Sequence, residues 1–345
     1  MIVLHLIKNI ADESANACGR RQPLFRWFVF GVTWGWLLAG TGVIRAQNGY
    51  VWKNVAIGGS QALVTSVIAD HSGLVCIRTD VGGAYRWNRS GSTWVQLVDG
   101  LAFTNREFYQ CEALAIDPNN SNVLFYAGGR LKTQWLPGAI LKSINGGATW
   151  SQLSFTNAPM GGNADQRWAG ERLAVDPGNS SVVLFGSRTN GLWRTANGGT
   201  IWAKVPSLPI ATNASDIYGV QSVAFHPAGN GIVYAAVYSN GVYQSSDHGA
   251  TFSAIGGDPD PRRMSVAPDG TLWYSHGSGV SKYIGGVWMT YLAGGVCCGL
   301  AVNPSNSLDV IVGNGEFSGL INIYRTTNGG TNWIQETDVY TTPVT

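Results

Sequence analysis

The feature that most constrains the fold is a short turn motif that recurs along the chain. Its fullest form reads Ser or Thr, any residue, Asp or Asn, any residue, Gly, any residue, Thr and Trp, as in residues 143–150. Related copies lie at residues 195–202, 245–252 and 326–333, and two copies that match the motif only in part end at Trp94 and Trp288. The closing Trp or Phe residues are 36 to 56 positions apart. A period of this size leaves room for four short strands per unit, which is typical of β-propeller blades.

An apolar run that ends in a turn precedes each copy and predicts a buried strand. These runs cover residues 66–70, 114–118, 173–177, 223–227, 264–268 and 300–304. The motif itself has a structural explanation, because Asp or Asn bonds its own backbone and Gly supplies a positive φ. The Trp that follows buries a large apolar area between blades. We therefore assign the motif to the outer edge of each blade and not to chemistry.

The number of blades depends on how the ring closes. Trp52 begins a seventh copy of the final strand of a blade, and propeller rings usually close by pairing strands from both termini. The sequence thus predicts an all-β, seven-bladed β-propeller with Asp-box (BNR-like) repeats. Only 12 residues follow Trp333, too few for three further strands. We expect either an incomplete last blade or a chain that stops partway through a larger protein.

Residues 1–46 lack the repeat and differ from the rest of the chain in the order of their charged and apolar residues. Arg20, Arg21 and Arg26 precede an uncharged apolar run over residues 27–44, and small residues and Ala46 follow. This order predicts a signal peptide cleaved after Ala46, a propeller over residues 47–345, and a secreted or periplasmic protein with no membrane contact in its mature form. The alternative is an uncleaved membrane anchor, since the run is long enough to span a bilayer.

Composition and spacing argue against several classes of ligand. Charged residues make up 12% of the chain and the net charge is +2 without a basic block, so no nucleic-acid partner is expected. The histidines show no metal-ligand spacing and no glycine-rich phosphate loop occurs, so neither metal, nucleotide nor other cofactor is predicted. Cys76, Cys111, Cys297 and Cys298 match no metal motif, and buried thiols are favoured over the disulfides that export would permit.

Several segments carry a more specific likeness. Residues 78–87 read Arg-Thr-Asp-Val-Gly-Gly-Ala-Tyr-Arg-Trp. Together with residues 160–177, 184–193 and 50–55 they resemble the first propeller of glycoside hydrolase family 74, the xyloglucanases and oligoxyloglucan-specific cellobiohydrolases. The likeness runs from about Tyr50 to Trp333.

The resemblance implies an inverting hydrolase that cuts the β-1,4-glucan backbone of xyloglucan. It assigns Asp80 as one of two catalytic carboxylates, the general base, with the two carboxyl groups about 6.5–9.5 Å apart to leave room for water. Gly82 and Gly83 would let the backbone turn sharply beside the sugar. Arg78 or Arg86 would keep Asp80 ionised. Without the resemblance, an Asp before Gly-Gly is better interpreted as the cap of a turn.

The second carboxylate is not evident in this sequence. In the family, the acid lies in a second propeller within a Gly-Asp-x-Gly-Gly motif, and no such motif occurs here. Three alternatives remain open: a fragment that lacks the second propeller, a degenerate binding protein, or an enzyme that uses another acid, for which Asp165 and Glu171 are the candidates. The chain is expected to be a monomer or to be followed covalently by a second propeller.

Binding of a polysaccharide should use aromatic faces, on which the C–H face of glucose stacks. The expected substrate-binding residues lie in or beside the family-like segments and are Tyr85, Arg86, Tyr109, Trp135, Asn163, Asp165 and Trp168. Trp135 and Trp168 are favoured most because both lie outside the turn-motif repeat. Packing within a blade is the alternative for Tyr109, and it is favoured for Trp87.

Two other functions compete with hydrolysis. The first is a non-catalytic carbohydrate-binding or assembly propeller, because similar turn motifs occur in photosystem assembly factors and sortilin-like receptors. The second is a sialidase, but the early Arg-Ile-Pro motif that it requires is absent. Residues 78–87 favour the hydrolase.

Overall fold

A computed structural model gives the fold of this chain. It describes residues 44–45, 51–52, 57, 62–70, 72–101, 107–130, 138–155, 158–208, 218–292, 297–314 and 322–336. Within these residues the chain forms six four-stranded antiparallel sheets and one two-stranded sheet. In every four-stranded sheet the strands follow one another in chain order, so each sheet is a simple meander.

The first three blades are built from twelve strands. They are β3 (Val64–Ala69), β4 (Val75–Thr79), β5 (Ala84–Asn88), β6 (Thr93–Gln96), β7 (Cys111–Asp117), β8 (Asn120–Gly128), β9 (Ala139–Ser143), β10 (Ser151–Gln152), β11 (Leu173–Asp176), β12 (Asn179–Gly186), β13 (Leu192–Thr195) and β14 (Ala203–Lys204).

The remaining three blades use β15 (Val220–Phe225), β16 (Val233–Val237), β17 (Gly241–Ser245), β18 (Ser253–Gly256), β19 (Pro261–Val266), β20 (Leu272–His276), β21 (Gly279–Ile284), β22 (Val287–Tyr291), β23 (Cys297–Asn303), β24 (Asn306–Asn314), β25 (Asn322–Thr326) and β26 (Ile334–Glu336). The short strands β1 (Ile44–Arg45) and β2 (Val51–Trp52) pair only with each other.

The blades form a propeller in which the first strand of each blade lies innermost. The first strands of successive blades contact one another around a central axis. The hydrophobic core consists of layers between neighbouring blades. One layer, for example, joins Cys76 and Leu97 of the first blade to Leu124 and Leu141 of the second. This arrangement explains why the strands are rich in apolar residues, since both faces of an inner strand are covered.

The recurrent turn motif forms the same hydrogen-bonded turn between the third and fourth strands of a blade. In the second blade the Gly147 amide donates to Ser143 Oγ at 2.9 Å, and the Thr149 amide donates to Asn145 Oδ1 at 2.9 Å. The equivalent pairs of bonds recur at residues 195–201, 245–251 and 326–332. Trp150 then reaches the neighbouring blade, where its indole N–H donates to the Leu97 carbonyl at 2.7 Å.

The meander order separates two faces of the ring. Turns between strands one and two, and the motif turns between strands three and four, lie at one end of the blades, here called the motif face. Turns between strands two and three, and the connections from one blade to the next, lie at the opposite end, the loop face. The segment that follows β4 and begins with Asp80 therefore lies on the loop face.

The fold class is confirmed as an all-β propeller, but the prediction of seven blades is wrong for the part of the chain that the structure describes, which forms six. The expected seventh blade was to use the strand at Trp52 as its outer strand. In the structure Trp52 pairs with Ile44 and Val51 pairs with Arg45, so this strand joins no four-stranded sheet. Residues 337–345 lie outside the described part.

The predicted leader also falls almost entirely outside the described residues; only β1 belongs to both. Within the described ranges no helix is long and apolar enough to cross a membrane.

Replacing Gly147 with Ala should destabilise the propeller. Gly147 has φ +88°, and a Cβ at this position would lie 2.4 Å from Leu97 Cδ2. The left-handed backbone alone costs an L-residue roughly 1–2 kcal/mol, and the clash adds to it. We expect a lower midpoint of thermal unfolding for Gly147→Ala. Gly100→Ala is the control, since a Cβ there meets nothing within 4 Å; equal midpoints for the two variants would contradict the assignment.

Candidate active site

Asp80 is fixed at the end of β4 by its own backbone and side chain. Its amide donates to the Leu63 carbonyl at 3.0 Å, and the Leu63 amide donates back to Asp80 Oδ1 at 2.8 Å. The side chain is 8% exposed, so it is neither on the outer rim of a blade nor fully enclosed. One carboxylate oxygen is thus held by the protein backbone, and the other faces the loop that is described next.

The glycines after Asp80 form the tight turn that the sequence predicts. Gly83 has φ +82°, and a Cβ there would lie 2.3 Å from Val98 Cγ2. The Gly83 amide donates to the Tyr109 carbonyl at 2.7 Å, and Gln96 Nε2 donates to the Gly82 carbonyl at 2.9 Å. Only glycine fits this backbone at position 83. The turn is therefore anchored on both sides, which keeps Asp80 in place.

The connection between the second and third blades brings a cation to Asp80. Residues 161–171, here called the crossing loop, belong to this connection and contact the first blade. Within this loop Arg167 Nε lies 3.5 Å from Asp80 Oδ2. The Arg167 guanidinium also lies 5.9 Å from the centre of the Trp168 ring. A cation this close favours the ionised form of a carboxylate.

Arg78 connects the strand of Asp80 to the crossing loop. Its Nε donates to Glu171 Oε1 at 2.8 Å and to Oε2 at 3.1 Å. Its Nη1 donates to the Arg167 carbonyl at 2.9 Å, and its Nη2 donates to the Ala169 carbonyl at 3.0 Å. Burial opposes the charge of Arg78, but the Glu171 carboxylate raises the pKa of the guanidinium above its ordinary value. Arg78 therefore stays charged and holds three residues of the loop.

Two arginines of the fifth blade hold the other side of the crossing loop. Arg262 Nη1 donates to Gln166 Oε1 at 2.7 Å, and the Gly170 amide donates to the Arg262 carbonyl at 2.9 Å. Arg263 Nη2 donates to the Trp168 carbonyl at 3.2 Å, while its Nη1 donates to Ser66 Oγ at 2.9 Å in the first blade. The loop thus joins the first and fifth blades across the centre of the ring.

A third buried cluster supports the start of the loop. Glu112 Oε1 lies 2.7 Å from Arg188 Nε and 3.0 Å from Arg172 Nε, and its Oε2 accepts from the Gly161 amide at 2.7 Å. Burial alone would raise the pKa of Glu112, but Arg188 and Arg172 hold it below its ordinary value. Burial and the neighbouring Arg188 lower the pKa of Arg172 to about 9.

No protein-family model matches this chain. A xyloglucanase of Paenibacillus sp is 32% identical over 339 residues, which cover 84% of this chain and 33% of that protein. A xyloglucanase of Hypocrea jecorina is 32% identical over 348 residues, covering 84% of this chain and 40% of that protein. The chain therefore spans only about a third to two fifths of these curated relatives.

Solved structures agree with the sequence comparison. The family 74 glycoside hydrolase of Niastella koreensis matches with a TM-score of 0.73 and 33% identity, over 82% of this chain and 46% of that one. The chain belongs to glycoside hydrolase family 74. By contrast, the structure of YCF48 bound to D1 peptide matches with a TM-score of 0.54 at 15% identity, a likeness that shows the fold alone.

The structure of this family 74 chain places several of the predicted site residues on the loop face. Asn163 and Asp165 are exposed on the crossing loop, and Trp168 is half-buried there. The Asp165 carbonyl accepts from Arg188 Nη1 at 2.7 Å, so the backbone of this residue is fixed while its side chain faces solvent. Trp135 lies outside the described residues.

Tyr85 and Tyr109 are close to the turn at Asp80 but serve in packing as well. Tyr85 is 7% exposed within the core cluster of the first blade, and a Cβ on Gly82 would lie 3.1 Å from its hydroxyl oxygen. Burial, together with the charge of Asp99, raises the pKa of Tyr85. Tyr109 is half-buried against the layer between the first two blades, and its carbonyl holds Gly83.

Two predictions for arginines need correction. The Arg78 guanidinium binds Glu171 and the crossing loop, and the cation that lies against Asp80 Oδ2 is Arg167. Arg86 points the other way, and its Nη1 donates to the Gly146 carbonyl at 3.1 Å in a turn on the motif face. Its position is therefore not that of a substrate-binding residue on the loop face. A strand alternates its side chains and runs from one face to the other, so residues close in sequence separate in space.

Arg167 is the neighbour of Asp80 that the sequence did not single out. It lies inside the family-like segment at residues 160–177, and that segment was the available signal. Nothing in the local sequence indicates that it meets Asp80, which is 87 positions earlier. The candidate acid Glu171, in turn, is bound by Arg78 and by the Leu114 amide at 3.1 Å, so it is an anchor of the loop.

Three thiols are buried in the blade layers. Burial raises the pKa of Cys76 to about 12 and that of Cys297 to about 11, and it raises the pKa of Cys111 further. Their thiols are therefore unreactive at neutral pH. Among the described residues no group of three or more His, Cys, Asp and Glu could hold a metal ion.

Replacing Glu112 with Gln should lower the free energy of unfolding, because Arg172 and Arg188 would lose their carboxylate partner. Removing one partner of a buried ion pair costs about 3–5 kcal/mol, because a charge is left uncompensated. The folded pKa of Glu112 is lowered, so its contribution is present above the ordinary value of 4.5 and is lost as pH falls below it. Urea unfolding should show a large loss of stability for Glu112→Gln at pH 7.

The same comparison at acidic pH tests the electrostatic cause. The deficit of Glu112→Gln relative to wild type should shrink as pH falls below 4.5. Asp269→Asn is the control, because this residue is exposed and its bond to the Thr271 amide can be made by an amide oxygen. A deficit that is the same at both pH values would exclude an ionic origin.

Proposed function

We propose that this chain is the base-bearing propeller of an inverting glycoside hydrolase that cuts xyloglucan or a related β-1,4-glucan, with Asp80 as the general base. The observation that carries the proposal is the pairing of Asp80 with Arg167 on the loop face, where Asp80 belongs to the segment that resembles the family's catalytic motif. The relatives that match over most of this chain are named xyloglucanases.

The surroundings of Asp80 suit a base. Oδ1 accepts a backbone N–H and Oδ2 lies beside a guanidinium, and both contacts favour a carboxylate ready to take a proton. A base must also be held within hydrogen-bond reach of the attacking water. The anchored turn at Gly83 supplies that rigidity. In this reaction Asp80 removes a proton from water as the water attacks the anomeric carbon.

The acid must be a carboxyl group on the opposite side of the glycosidic bond. Glu171 and Glu112 are each bound by buried arginines and by a backbone amide, so both serve to hold the crossing loop and neither is placed to donate a proton to a sugar. The relatives are two to three times as long as the matched region. We therefore assign the acid to a second propeller in the full-length protein, with Asp165 as the exposed alternative within this chain.

Further parts of the proposal follow from the same placement. The exposed and half-buried residues of the crossing loop, Asn163, Asp165 and Trp168, form one side of the glucan-binding surface, and Trp135 is proposed to join them. The recurrent turns are Asp-box repeats that hold the blades and take no part in chemistry. The protein acts outside the cytoplasm, because its polymeric substrate is found there and residues 1–46 read as a signal peptide.

A second candidate function follows from the burial of the Asp80 side chain. With 8% of its side chain exposed and both oxygens engaged, this carboxylate has the surroundings of a structural group as well. A non-catalytic propeller that binds polysaccharide on the loop face would use the same aromatic residues. Such a protein would bind xyloglucan without releasing oligosaccharides.

Replacing Asp80 with Asn should abolish hydrolysis by the full-length protein. The amide keeps the size of the side chain but cannot accept a proton from water, and loss of a general base typically costs a factor of about 10²–10⁴. The assay is the release of reducing oligosaccharides from xyloglucan. Asp247→Asn is the control, because Asn stands at the equivalent position in three other copies of the turn motif. Undiminished release by Asp80→Asn would reject the role.

Replacing Trp168 with Ala should weaken binding of xyloglucan oligosaccharides by up to about tenfold, since contact with an aromatic face contributes about 0.5–1.5 kcal/mol. Isothermal titration calorimetry on Asp80→Asn protein would measure binding without turnover. Trp94→Ala, near the motif face, is the control and should bind as tightly as the parent. Equal affinities for all three proteins would remove Trp168 from the binding surface.

A further inference from the structure

Arg78 and Asp80 lie two residues apart at one strand end, Arg78 within β4 and Asp80 directly after it. Both are also held by the neighbouring strand: Arg78 Nη1 donates to Thr65 Oγ1 at 2.8 Å, and the Leu63 amide donates to Asp80 Oδ1. The two side chains thus form one rigid unit that faces the crossing loop.

The crossing loop meets this unit at alternate positions. The carbonyls of Arg167 and Ala169 and the carboxylate of Glu171 all accept from the single Arg78 guanidinium. The residue whose carbonyl is bound, Arg167, is the one whose side chain lies beside Asp80 Oδ2. Because Arg78 is fully buried, little freedom remains in this arrangement.

We propose that Arg78 is a positioning residue that, by holding residues 167–171, fixes the Arg167 guanidinium beside Asp80 and so sets the pH range over which Asp80 is ionised. Arg167 supplies the charge and Arg78 supplies the geometry. The inference rests on the proposed function only for its catalytic consequence, because the contact between Arg167 and Asp80 is present whatever the protein acts on.

The Arg78→Lys variant distinguishes the positioning of Arg167 from the direct effect of a charge at residue 78. Arg78→Lys keeps the positive charge near Asp80, so a direct electrostatic effect is small, but an ammonium cannot reproduce the planar fork that binds three acceptors. Arg167→Gln removes the charge itself, and Arg167→Lys restores it. Arg194→Lys is the control, because Arg194, which is half-buried, likewise donates to a backbone carbonyl of another part of the ring, that of His248 on the motif face.

The measurement is a ¹³C NMR titration of aspartate carboxyl carbons, with Asp80 assigned by its absence in Asp80→Asn. Arg167→Gln should move the titration midpoint of Asp80 up by about one pH unit, because a neighbouring cation favours the carboxylate. Arg167→Lys should recover most of this shift. Arg78→Lys should move the midpoint upward although Arg167 is intact, and Arg194→Lys should leave it unchanged. An unmoved midpoint in folded Arg78→Lys protein would overturn the positioning role.

Glu171→Gln keeps the test decisive should Arg78→Lys fail to fold. Removing an anion would by itself lower the midpoint of Asp80, whereas loosening the loop would raise it. An upward shift therefore supports positioning, and a downward or absent shift contradicts it. Thermal unfolding of every variant accompanies the titration, so that loss of structure is recognised.

Activity supplies an independent readout. In the full-length protein, the acid limb of the pH profile of kcat/KM on xyloglucan should move upward in the same order as the NMR midpoints. Wild-type protein without hydrolysis would reject the proposed function, and the NMR titration would still decide the role of Arg78. Active wild-type protein with unmoved midpoints in the variants would reject the role of Arg78 and leave the function standing.

Discussion

A buried ion pair between Arg78 and Glu171 determines how the centre of this propeller is arranged. Two charges taken out of water are tolerated only when they meet each other and their remaining hydrogen bonds are satisfied. Arg78 meets that condition with the carbonyls of Arg167 and Ala169, so the path of the crossing loop follows from the path of one strand. The arginines of the fifth blade and the cluster around Glu112 extend the same principle to the rest of the loop. The loop is as fixed as the blades that it joins.

The two faces of the ring serve different ends. On the motif face, short turns with bonded Asn or Asp side chains and a Trp or Phe that reaches the next blade hold the propeller together. In the described part of the loop face the connections differ in length, and one of them crosses the ring. The proposed site lies where the chain departs from the repeat, since binding residues on loops can vary while the scaffold that positions them stays the same.

The relation to family 74 fits this division. The matched relatives extend well beyond the region shared with this chain, and an inverting hydrolase needs two carboxylates on opposite sides of its substrate. Under the proposed function, a propeller whose loop face presents one carboxylate beside one cation would supply half of such a site in rigid form. Glu112 and Glu171 hold the crossing loop, so under the proposed function the second carboxyl group would come from the exposed surface or from a further propeller.

The sequence by itself determined the propeller class, the position of the turns and the family, because a repeat of turn residues and apolar runs is local information and residues 78–87 carry a specific motif. It overestimated the number of blades, since a Trp-containing strand at position 52 looks like the others until its pairing partner is known. It also gave Arg78 and Arg86 to Asp80 on grounds of proximity along the chain. Only the tertiary structure decided that Arg167 lies beside this carboxylate, because contacts across the centre of a ring depend on where loops cross and leave no spacing in the sequence.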